Sequence, residues 1–120
     1  FEWGKRRNEK RASKLRIGMA NDNLNRVQDD IRLEVQTARV SLIQALERVR
    51  LSESSLEKAK ENEQKALERY TEGRISIVEV IDAQTYRQTS QVNYVQARAA
   101  AQIQYSALLK ATNRYNMASR

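Results

Sequence analysis

The sequence predicts an all-α chain folded as one long antiparallel coiled-coil helical hairpin. Three observations carry that expectation. The chain has 120 residues with no proline and only Gly4, Gly18 and Gly73 as glycines, whereas α/β folds and sandwiches need turn residues often. Apolar residues recur at steps of three and four on both sides of Gly73, the spacing of one helical face. The punctuation is concentrated in the segment YTEGRISIVEVIDAQ, where Gly73 lies between Thr71 and Ser76. The expected elements are a helix over 5–70, a tip turn over 71–76, a second helix over 77–113 and a tail over 114–120.

The first helix is read from its seam. Ile17, Ala20, Leu24, Val27 and Ile31 lead through a four-residue step to Val35, Ala38, Leu42, Ala45, Val49, Ser52, Leu56, Ala59, Glu63, Ala66 and Tyr70. The extra step at Ile31–Val35 is a stutter, which relaxes left-handed supercoiling. Leu33, Val40, Ile43 and Leu51 form a sparser stripe off this seam and point to neighbours on two sides of the helix.

The second helix starts beside Ser76. Ser76 followed by Glu79 has the Ser-x-x-Glu pattern of a capping box. Between Ala83 and Leu109 the only charged residues are Arg87 and Arg98, and this low charge suits a helix packed by several neighbours. It offers two lines at helical spacing. One runs Ile77, Ile81, Gln84, Gln88, Val92, Val95, Ala99, Gln102, Ser106 and Leu109; the other contains Val80, Ala83, Tyr94, Ala97, Ala101, Tyr105 and Leu108. Folding at Gly73 sets Tyr70 by Ile77, Ala66 by Ile81, Leu56 near Val92, Val49 near Ala99, Leu42 near Tyr105 and Ala38 near Leu109, which turns chiefly the first line inward. Residues 5–33 then have no partner within the chain. The isolated chain is expected to self-associate through them, and light scattering that finds only monomer at high micromolar concentration counts against this.

Composition excludes several functions. With no cysteine and no histidine, disulfides, thiolate metal sites and the commonest catalytic bases are missing. No enzyme activity, cofactor or metal site is expected. No run of apolar residues is long enough for a membrane-spanning helix. Position 1 is not methionine and no signal peptide is visible, so the chain reads as an internal or C-terminal piece. The net charge of +7 is uneven: Lys5, Arg6, Arg7, Lys10, Arg11, Lys14 and Arg16 against Glu2 and Glu9 leave +5 in residues 1–16. That segment reads as a solvated helix surface or as one lying near anionic lipid headgroups. Nucleic acid is not an expected partner, because no stacking aromatics are interleaved with these cations.

The chain resembles the C-terminal repeat of the TolC-like outer-membrane efflux proteins. The matching residues are Phe1-Glu2-Trp3-Gly4 before a long helix, Tyr70-x-x-Gly73 at the reversal, Ile75 through Gln84 after it, and Leu108-Leu109 to Ala111 near the end. The resemblance covers nearly all of the chain and is specific chiefly at the tip. It implies a fragment of a trimeric α-helical barrel in the periplasm, continuous with an outer-membrane β-barrel absent here. It implies the exit duct of a tripartite multidrug efflux or type I secretion system, with a periplasmic adaptor and an inner-membrane pump as partners. Residues 1–4 then end a barrel strand, with Phe1 and Trp3 at the membrane interface, where aromatic rings are favoured.

Glu79 and Asp82 match acidic positions that ring the closed pore, while Tyr70, Gly73 and Arg74 form the tip turn and gate. The sequence departs from the family pattern at Ile75, where arginine can stand, so Arg74 need not make the same contact. Read without the resemblance, Glu79 and Asp82 compensate the dipole of a first helical turn, each worth about 0.3–1 kcal/mol. The alternative function is a periplasmic adaptor or another structural coiled-coil hairpin, although the strand pattern of an adaptor's flanking domain is lacking.

Overall fold

A computed structural model describes residues 2–118. The chain forms two helices, α1 over Glu2–Thr71 and α2 over Ile77–Ala118, packed antiparallel. At 1.5 Å per residue the 70 residues of α1 span about 105 Å, and the molecule measures 107 × 23 × 13 Å. Its radius of gyration is 29.1 Å, twice the roughly 14 Å of a globular domain of this length. Among the described residues there is no enclosed core. The pair buries a single seam.

On α1 the seam follows the expected line. Ile31, Ala45, Leu56 and Ala59 are buried, and Val35, Ala38, Leu42, Val49, Ser52, Glu63 and Ala66 are half-buried between them. Tyr70 lies past the end of the seam and is exposed. Leu33, Val40, Ile43 and Leu51 remain exposed on the outer surface.

On α2 the structure corrects the expected face. The line through Ile77, Ile81, Val92, Val95 and Leu109 is exposed. The residues turned toward α1 are Val80, Ala83, Arg87, Ser90, Tyr94, Ala97, Ala101, Gln104, Leu108 and Ala111. They alternate steps of three and four without interruption, the period of a coiled-coil seam. The expected line lies about a third of a turn away around the helix. Two causes favour the observed face. Alanine and serine at positions 83, 90, 97, 101 and 111 let the backbones approach closely, and Arg87 meets Glu63 of the facing seam. The pairing along the axis is nearly as expected, as Arg114 reaching Glu34 at 3.1 Å near the far end shows.

The helix ends also differ from expectation. Residues 2–4, read as the end of a strand, form the first turn of α1. Among the described residues there is no strand to complete a ladder, whereas a helix satisfies its backbone groups internally. Phe1 lies outside the described residues, as do residues 119 and 120 of the expected tail. Residues 114–118 extend α2 because nothing in Arg114-Tyr115-Asn116-Met117 breaks a helix. Ile31, expected in the unpaired part of α1, is buried, so that part shortens. From Trp3 to Val27 every residue is exposed, an overhang of about 40 Å that presents Ile17, Leu24 and Val27 to solvent.

Candidate functional site at the hairpin tip

The reversal is built from the C-terminus of α1. The Arg74 amide donates to the Arg69 carbonyl at 2.9 Å and the Gly73 amide to the Tyr70 carbonyl at 3.0 Å. This pair of bonds is a Schellman motif, which closes carbonyls otherwise left open at a helix end. The motif needs a residue in the left-handed region, and Gly73 has φ of 73°. A side chain added there would touch nothing within 4 Å, so backbone conformation alone selects glycine; an L-residue in this conformation costs about 1–2 kcal/mol. Thr71 ties its hydroxyl back into α1, donating to the Glu68 carbonyl at 2.7 Å.

The second helix opens at Ser76, whose carbonyl accepts from the amides of Glu79 at 3.2 Å and Val80 at 3.4 Å. Ser76 thus stands at the cap position, but no side-chain bonds of a capping box form between Ser76 and Glu79 among the described residues. Their absence leaves the Glu79 carboxylate free to face outward.

Glu79 and Asp82 are both exposed and lie one turn apart on the same face of α2. Neither takes part in an ion pair among the described residues. Glu79 borders a shallow hollow of about 350 Å³ with Asn62, Lys65, Ala66, Arg69 and Ile75, so cationic side chains of α1 flank it without closing on it. Arg74 is held elsewhere: its Nε lies 3.2 Å from Glu72 Oε2. The tip therefore brings Gly73, Arg74, Glu79 and Asp82 onto one end of the molecule with Tyr70 exposed beside them, and it neutralises Arg74 locally rather than against the acidic pair.

Trp3, expected at a membrane interface, lies at the opposite end of the 107 Å axis and is 87% exposed. Between the two ends, a groove of about 660 Å³ runs along one side of the seam, lined by Leu42, Leu46, Val49, Val95, Ala99 and Tyr105 among others. With the exposed Ile43, Val92 and Leu109, it leaves apolar surface on the flank of the pair. No helix of the described residues is long and apolar enough to cross a membrane, and no cluster of acidic residues among them could hold a metal ion.

One polar cluster escaped the sequence reading. Glu63 Oε2 is buried in the seam, and its counter-charge is the Arg87 guanidinium. Arg87 Nη1 also donates to Gln91 Oε1 at 3.0 Å. The signal was present: an acid interrupting the apolar line of one helix, and one of only two charges on the middle of the other. Joining the two required the correct face of α2.

Comparison with known proteins adds one match. A family model described as outer membrane efflux protein matches residues 1–114. No curated protein and no solved structure matches the chain.

Proposed function

Because this chain belongs to the outer membrane efflux protein family, we propose that it is a periplasmic stave of an outer-membrane exit duct, serving a tripartite efflux or type I secretion system. The observation that carries this reading is the surface left over after the two helices have paired. Apolar residues remain on both helices outside the seam, at Val40, Ile43 and Leu51 of α1 and Ile77, Ile81, Val92 and Val95 of α2. A free-standing two-helix rod has no use for them; a stave packed by neighbours on each side buries them. On this reading three chains close a barrel, the Trp3 end meets the outer membrane, and the tip points toward the adaptor and the inner-membrane pump. The chain performs no catalysis. It conducts, and energy comes from the pump.

The tip supplies the chemistry of conduction. Three copies of Glu79 and Asp82 place six carboxylates around the narrow end, each exposed and without a counter-ion among the described residues of its own chain. Such a ring concentrates cations and opposes anions. The Schellman turn at Gly73 fixes where α2 starts and hence where the pair points.

The test is single-channel conductance of the full-length parent in planar bilayers, with and without Glu79→Gln plus Asp82→Asn. The expected result is a cation-selective pore whose selectivity weakens in the double variant. A pore indifferent to the substitutions returns the acidic pair to dipole compensation. Absence of any pore from inserted trimer overturns the duct in favour of an adaptor hairpin.

A further inference from the structure

We propose that the first four turns of α1 carry a docking surface for anionic phospholipid headgroups, centred on Arg6, Arg7, Lys10 and Lys14 beside Trp3. Counting from Trp3, these residues and Ile17 fall at three, four, seven, eleven and fourteen positions, which places them on one face of the helix. Arg11 lies at one edge of this face, and Glu9, three residues after Arg6, lies just beyond the other. All are exposed.

Among the described residues none of these cations takes part in an ion pair; the paired cations, Arg50, Arg74, Arg87 and Arg114, all lie further along the chain. Positive charge is thus concentrated in this segment, where seven cations stand against two acids. Gly4 leaves a shallow hollow between Trp3, Arg6, Arg7 and Lys10. Helical side chains lean toward the N-terminus, so Arg6, Arg7 and Lys10 tilt toward the level of Trp3. The long stems can lie against apolar surface while their heads stay in the polar layer.

An indole at one level and unpaired cations just below it fit a bilayer interface with anionic headgroups. Aromatic rings settle at that interface, and basic residues are attracted to anionic lipid phosphate with roughly additive strength. The stacking aromatics that a nucleic-acid surface interleaves with its charges are missing: Trp3 is the only aromatic residue in the described part of this segment. The inference rests on the family reading in one respect, that this end of the chain meets a membrane.

Trp3 is the only tryptophan of the chain, so its emission reports directly whether this face leaves water. The intact 120-residue chain is titrated with vesicles of phosphatidylglycerol and phosphatidylcholine, about three parts to seven, and with phosphatidylcholine alone. The expected result is a blue shift on the anionic vesicles that is absent on the neutral ones and fades with salt. Arg6→Gln, Arg7→Gln, Lys10→Gln and Lys14→Gln together should weaken partition on the order of a thousandfold. A second variant, Arg48→Gln, Lys58→Gln, Lys60→Gln and Lys65→Gln, removes the same charge from exposed positions elsewhere and should lose only a few-fold. Equal loss in both variants overturns the proposal in favour of net charge alone. Equal binding to neutral vesicles reduces the surface to Trp3. Tighter binding to DNA than to anionic vesicles reassigns it. A parent that conducts while this surface ignores lipid overturns the headgroup inference and leaves the duct standing.

Discussion

Replacing Leu56 by alanine is expected to destabilise the hairpin by about 2–3 kcal/mol, the lower part of the range for truncating a buried leucine. Leu56 is 7% exposed and sits beside Ala59, which is fully buried, near the middle of the paired length. A two-helix seam has no second layer to collapse into the space left behind. It is also open at its sides, so water can enter and limit the cavity cost. Leu51, one and a half turns earlier on α1, is 53% exposed, and Leu51→Ala should change stability by less than about 0.5 kcal/mol. Urea unfolding followed by helical circular dichroism compares the two. Equal losses would mean that the seam does not run where the structure puts it.

Glu63→Ala should cost about 2–3 kcal/mol, below the roughly 3–5 kcal/mol for breaking a fully buried pair. The discount reflects access to solvent: the Glu63 and Arg87 side chains are 18% and 28% exposed. Most of the cost is that of leaving Arg87 in the seam without its counter-charge. Glu63→Leu combined with Arg87→Leu should recover most of the loss in urea unfolding, since an apolar pair of similar volume often replaces a buried ion pair at little cost. If the single and double variants are equally unstable, the pair contributes through packing and not through charge.

The architecture was legible in the sequence to the extent that it depends on local chemistry. Gly73 marked the reversal because only a left-handed residue completes that turn, and Ile77 opened α2 as expected. The line from Val35 to Ala66 was readable because α1 has one dominant apolar stripe in its paired half. The inward face of α2 was not readable in the same way. It has two lines at helical spacing, and the more apolar one, with Ile77, Ile81, Val92 and Val95, stays outside. Hydrophobicity ranks such lines by transfer from water. Close backbone approach over Ala97, Ala101 and Ala111, and an ion pair with a residue on the other helix, are non-local terms that this ranking omits.

The helix limits failed for a related reason. Residues 114–118 contain no breaker, and the exposed ion pair at this end joins Arg114 to Glu34 on the other helix. For the candidate site, the shared face of Glu79 and Asp82 followed from their spacing. The capture of Arg74 by Glu72 did not, because it is set by the path of the chain through the turn.

The single reversal at Gly73 also sets the order in which the molecule assembles. Residues flanking the tip are separated by only a few links of chain, so the entropy lost in closing them is small. Each pair further from the tip spans a longer loop, yet it is delivered by the pair before it and need not search independently. Closure therefore propagates from the tip toward Ile31 like a zipper, and opening starts at the other end. The overhang beyond Ile31 takes no part in that process: it is helical from Glu2 with its surface exposed, and it is left for another surface to cover.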